Sequence, residues 1–220
     1  MKRSSFPRCF ILFLFVCMGG CSSSPLVENA GEVEPPVQPR TLHISVQGPY
    51  NSGKSSLVRR IYEKTFEEED YCSIYTEFVR FDMNMEGNDL KVQVWDPEPH
   101  YRGKVWTNNR RQDAVILAFD LTSREDLFPI LEFYVQSFNR VYWGDERKLY
   151  IVGCKSDLGT ERAFSRQDMM SFVSSVDAAY YETSSKDDVM VSELFHHIAS
   201  DFCGIPCDAP LIRSAKSARK

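Results

Sequence analysis

No stretch of this 220-residue chain is long and apolar enough to span a bilayer: the apolar run Cys9–Met18 falls short of the ~20 residues a spanning helix needs. Histidine is scarce. His43, His100, His196 and His197 are the whole complement, too scattered for a metal cluster, and adjacent residues on a helix point in different directions. Past residue 20 the cysteines are Cys21, Cys72, Cys154, Cys203 and Cys207, and no spacing among them suggests a zinc knuckle or a disulfide ladder. A basic face is missing too. The net charge is −5, and with residues 1–40 at +1 and 208–220 at +3 the body of the chain, 41–207, stands at −9. Nucleic acid is therefore not an expected partner, because phosphate backbones bind through lysine and arginine. With 43% hydrophobic and 26% charged residues and no internal repeat, what remains is one ordinary globular domain with tails.

The first forty residues read as an address. Lys2, Arg3 and Arg8 precede or open the apolar run, and Met18-Gly19-Gly20-Cys21 follows it, the layout of a secretory signal over 1–20. Met-Gly-Gly-Cys resembles the lipobox of bacterial lipoproteins, although Leu is usual where Met18 stands. That resemblance implies that Cys21 is the acylated first residue of the mature chain, with attachment to the membrane through its lipid. Residues 21–40 hold four prolines and no apolar periodicity, so an extended tether is expected. The expected location is a bacterial envelope or surface.

From residue 41 the pattern becomes regular. Leu42, Ile44 and Val46 alternate as in a strand, and Gly48-Pro49-Tyr50-Asn51-Ser52-Gly53-Lys54-Ser55 follows at once. Behind it Ser56 opens a stretch in which Leu57, Val58, Ile61 and Tyr62 recur at helical spacing. A G-x-x-x-x-G-K-S loop between a strand and a helix is a phosphate cradle: backbone N–H groups and the helix N-terminus hold the phosphates, Lys54 adds charge and the Ser55 hydroxyl ligates Mg²⁺. Strands are expected over Thr76–Met85 and Leu90–Trp95, joined by the turn Glu86-Gly87-Asn88, and Asp96 at the end of the second is the candidate carboxylate for the same Mg²⁺. Apolar strands over Asp113–Phe119 and Tyr150–Gly153 alternate with helical stretches at 124–140, 165–175 and 190–202. The fold class is therefore α/β, a doubly wound P-loop NTPase sheet.

At this point the chain resembles the small GTPases of the Ras superfamily, and most closely their Rab-like branch, over about 41–202. Ile151-Val152-Gly153-Cys154-Lys155-Ser156-Asp157-Leu158 looks like the N-K-x-D stretch, and Tyr181-Glu182-Thr183-Ser184-Ser185-Lys186 looks like E-T-S-A-K. Cys72-Ser73-Ile74 falls over the S-T-I of the first switch and Val94-Trp95-Asp96 over I-W-D. The resemblance implies a mostly parallel six-stranded sheet with one antiparallel strand, a GTPase domain over 41–207 and a basic tail over 208–220. GTP, GDP and Mg²⁺ would be its ligands. The phosphate side would comprise Gly48, Asn51, Ser52, Gly53, Lys54, Ser55 and Ser56, and Ser73 would join Ser55 and Asp96 at the metal. On the base side, Asp157 would accept both N–H donors of the guanine edge, Lys155 would pack over the base, Ser185 would offer its backbone N–H to the guanine carbonyl, and Ser184 and Lys186 would hold that loop.

The chain also departs from the family pattern. Cys154 replaces Asn and loses an amide that normally ties loop and base. Where the family has D-T-A-G-Q-E-R-F-R, this chain has Asp96-Pro97-Glu98-Pro99-His100-Tyr101-Arg102, two residues shorter. Pro99 falls on or beside a glycine whose N–H contacts the γ-phosphate, and His100, or nothing, stands in the place of the water-orienting glutamine, which makes His100 the one candidate for that catalytic role. The C-terminus, Ser-Ala-Arg-Lys, has no prenylation cysteines, so attachment is expected at Cys21 instead. Two readings compete: a nucleotide switch with slow hydrolysis, and a pseudo-GTPase that serves as a Rab-shaped interaction module. Neither names an effector, exchange factor or activating protein.

Overall fold

The computed structural model describes residues 40–68, 77–96, 112–123, 127–142 and 147–206. Cys21 and the signal, Ser73, the second-switch stretch with Pro99 and His100, and the tail over 208–220 lie outside these residues. The chain divides between Val37 and Gln38 into two units, and every described residue belongs to the second.

Strand β1 (Arg40–Gln47) leads into helix α1 (Lys54–Glu63), the hairpin β2 (Glu77–Met85) and β3 (Asn88–Asp96), and strand β4 (Ala114–Asp120). Helix α2 (Leu127–Val141), strand β5 (Lys148–Cys154), a 3-10 turn over Ser156–Glu161, helix α3 (Arg166–Val176), strand β6 (Ala179–Glu182) and helix α4 (Val191–Cys203) complete it. The strands form one sheet in the order β2-β3-β1-β4-β5-β6, antiparallel only between β2 and β3. This is the sheet the resemblance implies. β1 begins one residue inside the expected tether, because Arg40 already pairs with Leu90 of β3.

Local chemistry accounts for the elements. β4, AVILAFD, is buried along nearly its whole length, as a central parallel strand covered by helices on both faces must be. The β2–β3 turn consists of two residues, Glu86 (φ 49°) and Gly87 (φ 85°), a left-handed pair that matches the twist of a hairpin. Asn88, expected in the turn, is instead the first residue of β3, opposite Met85. Ser165 caps α3 by accepting the Asp168 N–H at 3.1 Å. One core packs α1 and α4 on one face of the sheet around Leu42, Ile44, Leu57, Leu194 and Phe195. The other packs α2 and α3 on the opposite face around Val115, Leu117, Phe119, Leu131 and Val173. Alternation in β6 sends Tyr181 into the first core and Tyr180 into the second. No helix among the described residues is long and apolar enough to cross a membrane.

Candidate functional site

The site forms where the parallel strands end, at the carboxyl edge of the sheet. After Gln47 the chain crosses that edge so closely that a Cβ on Gly48 would lie 2.0 Å from the Ala118 carbonyl oxygen. Only glycine fits there. Asn51 (φ 56°) and Gly53 (φ 88°) adopt left-handed backbone, which turns the loop back into α1. Gly53 caps α1 without any side-chain hydrogen bond, and the first turn of α1 holds no acidic residue. The first N–H groups of the helix therefore face the loop with no capping side chain, the arrangement that receives an anion.

Lys54 is buried within its own loop. Its ammonium donates to the Pro49 carbonyl at 2.6 Å, the Gly48 carbonyl at 3.2 Å and Ser52 Oγ at 3.3 Å. Three oxygens hold a full positive charge at the centre of the cradle. Parallel pairing of β1 with β3, with Ser45 beside Trp95, brings the end of β3 to the start of α1. There the Ser55 hydroxyl donates to Asp96 Oδ2 at 2.6 Å, and Asp96 is 3% exposed. A hydroxyl and a buried carboxylate are hard oxygen donors, and they fit Mg²⁺.

The base side is built from the ends of β4, β5 and β6. Lys155, in left-handed backbone at φ 61°, donates to Asn51 Oδ1 at 3.2 Å and pairs with Asp120 Oδ2 at 2.8 Å, so it braces the phosphate loop. Asp120 is anchored in turn by the Thr122 N–H and hydroxyl at 2.8 and 2.7 Å. Asp157 accepts the Ser184 hydroxyl at 2.7 Å, and Ser184 Oγ accepts the Asp187 N–H at 3.0 Å. Backbone bonds from Ser156 N–H to the Thr183 carbonyl and from Thr183 N–H to the Gly153 carbonyl zip the two base loops together. Ser185 is buried beside Ser184, and Lys186 reaches out to Glu68 at 3.0 Å.

Cys154 behaves unlike a ligand-binding amide. It is 2% exposed, receives the Thr183 hydroxyl at 4.0 Å, and a Cβ on Gly53 would lie 3.0 Å from its own Cβ. Burial pushes its thiol up to about 12, so it stays neutral. The residue seals the underside of the phosphate loop by packing.

The profile of the Ras family matches residues 43–203, which takes in this whole constellation. The chain belongs to the Ras family. Within the family it is Rab-like: it is 32% identical over 151 residues to Ras-related protein Rab-21 of Geodia cydonium, covering 67% of this chain and 64% of that protein. Rab-21 of Homo sapiens is 33% identical over 147 residues, with 65% and 64% covered. Rab-17 of Mus musculus is 27% identical over 169 residues, with 74% and 77% covered. The chain thus spans less than two thirds of the length of the Rab-21 proteins that it matches.

In this Ras family domain the structure places Gly48, Asn51, Ser52, Gly53, Lys54, Ser55, Ser56 and Asp96 in and beside the phosphate loop. Cys154 and Lys155 contact that loop from the end of β5, and Asp157, Ser184, Ser185 and Lys186 lie in the two base loops that follow β5 and β6. Tyr50 is 61% exposed on the outside of the loop. Several contributors escaped the sequence reading. Asp120, an acidic residue at the carboxyl end of a parallel strand, carried a usable signal. Arg162 carried none, and Glu182 was read only as the first letter of the E-T-S-A-K stretch: their two-pronged pair at 2.9 and 2.6 Å, with Arg162 Nε also donating to the Phe164 carbonyl, clamps the chain after Asp157 to the root of the Ser184 loop. Burial alone would raise the Glu182 carboxyl, but the hydrogen bonds from Arg162 and Tyr180 outweigh it and hold the group below its usual range.

Proposed function

We propose that the protein is a membrane-tethered, Rab-like guanine-nucleotide switch that binds GTP and GDP with Mg²⁺ and hydrolyses GTP slowly. One observation carries the reading: the uncapped N-terminus of α1, Lys54 and the Ser55–Asp96 pair stand at the same carboxyl edge of the sheet as Asp157, which Ser184 braces. The phosphates would lie against the α1 N–H groups, with the Lys54 ammonium on the terminal oxygens. Ser55 and Asp96 would hold Mg²⁺, which when bound neutralises the phosphate charge. Asp157 would accept the two N–H donors of the guanine edge. Adenine has no such pair and would leave a carboxylate unsatisfied, at a cost of ~1–3 kcal/mol for each lost bond. Competition titrations with GDP and ADP test the base assignment: GDP is expected to bind and ADP to be rejected, and equal affinities would contradict it.

Tethering is the second part of the proposal and rests on Lys2, Arg3, Arg8, the apolar run and the Met18–Cys21 stretch. An exported lipoprotein and a GTP-dependent domain usually occupy different compartments, and display of the domain to a cytosol outside the bacterium reconciles them. Cys21→Ser is expected to abolish fatty-acid labelling and to move the protein from the membrane pellet to the supernatant, because one residue carries the entire lipid modification. A mutant that still labels and still pellets would rule the anchor out.

A further inference from the structure

The base loop is fastened from below by a side chain of the phosphate helix. Arg60 stands on α1, the helix that Lys54 and Ser55 open. Its Nε donates to the Ser185 carbonyl, its Nη2 to the Lys186 carbonyl at 2.9 Å and its Nη1 to the Lys64 carbonyl at 2.9 Å. Two of these acceptors belong to consecutive residues of the base loop, and the third ends the helix that carries the arginine. A planar guanidinium fixes such acceptors in one plane, which a lysine ammonium cannot do. The loop above is a closed turn in which Ser184 and Val189 exchange backbone hydrogen bonds at 3.1 and 2.9 Å. The Ser184–Asp157 bond holds the start of this loop, and the Ser185 and Lys186 carbonyls that follow are held by Arg60.

Other contacts between these parts are weaker in kind. The Lys186–Glu68 pair is exposed, with 49% and 82% of the two side chains accessible, and water screens it. The Cys154 thiol packs on the phosphate loop but offers no amide to bond across to the base loop.

We propose that Arg60 is a positioning residue for base selection: by gripping the Ser185 and Lys186 carbonyls it aims the Ser185 N–H at the 6-position of the bound purine and couples the phosphate helix to the base loop. The inference rests on the guanine reading above. Ser185 N–H suits a 6-carbonyl, as in guanine and hypoxanthine, and opposes the 6-amino group of adenine. Asp157 reads the other donors of the guanine edge and touches neither Arg60 nor its acceptors in the contacts described.

The test compares equilibrium affinities of the full chain and of Arg60→Gln for GDP, IDP and ADP, read by competition. IDP and ADP differ at the 6-position and its neighbouring ring nitrogen, whereas GDP and IDP differ only in the 2-amino group that Asp157 receives. The preference for IDP over ADP is expected to fall on the order of tenfold in Arg60→Gln, with the preference for GDP over IDP unchanged. A common loss for all three nucleotides would mean that Arg60 only supports the fold, and unchanged affinities would mean that it does nothing here; either overturns the inference. Should Arg60→Gln not fold, Arg60→Lys keeps the charge and the stem without the fork, and the same ratio decides. Failure of the unmutated chain to bind GDP would instead defeat the guanine reading itself.

Discussion

Asp157→Asn is expected to weaken GDP binding on the order of a hundredfold and to admit xanthosine diphosphate. The carboxylate offers two acceptors to two guanine donors; an amide replaces one acceptor with an N–H that confronts a donor, and each misplaced bond costs ~1–3 kcal/mol. Xanthine exchanges the 2-amino donor for a carbonyl, so the same amide suits it. The substitution should leave the fold intact, because the Ser184 hydroxyl that now donates to Asp157 Oδ1 at 2.7 Å can donate equally to an amide oxygen. Competition titrations with GDP and xanthosine diphosphate check the result, and an undiminished GDP affinity in the variant would remove Asp157 from the base site.

Hydrolysis is expected to be slow, at least tenfold below that of an ordinary Rab, with a GTP preference over GDP reduced by roughly tenfold. Three changes point the same way. His100, or nothing, stands in the place of the family's glutamine, and an imidazole carries its donor and its acceptor on divergent ring nitrogens, so it cannot turn both to one attacking water as a carboxamide does. Pro99 has no N–H to give the γ-phosphate, and a charge-assisted bond of that kind is worth ~1.5–3 kcal/mol. Tyr50 sets a large ring, 61% exposed, on a phosphate-loop position where the resemblance to the family implies a small residue, and it would crowd the space an activating side chain needs. Single-turnover hydrolysis with Mg²⁺, alongside GTP and GDP affinities, measures all three together. Rab-like turnover with a strong GTP preference would contradict the expectation; recovery in a variant with the family's second-switch residues and Tyr50→Gly would support it.

The phosphate half of the site was legible because its signals are local. A period-2 strand, a glycine-bounded loop and a helical repeat follow one another within about twenty residues, and Asp96 marks a strand end in the same way. The base half was legible through the resemblance, since Asp157 and Ser184 are 27 positions apart and meet only because β5 and β6 pair in parallel. β6 itself is four residues, AYYE, with both tyrosines buried on opposite faces, and leaves no alternation to read. What stayed hidden depends on distant backbone. Arg60 looks like a solvated helix residue until Ser185, 125 positions away, presents its carbonyl. Cys154 was readable as a lost amide, whereas its packing against Gly53 follows from the loop's path over the sheet edge.

The central claim is that this site holds a guanine nucleotide. The most direct measurement is to incubate the purified full chain with Mg²⁺ and equimolar GTP and ATP, desalt it, denature it and separate the released nucleotides by chromatography. Close to one guanine nucleotide per chain is expected, with triphosphate surviving among it because hydrolysis is slow. Adenine nucleotide in equal amount, or no nucleotide at all, would contradict the account, and the second outcome would leave the Rab-shaped interaction module as the reading that stands.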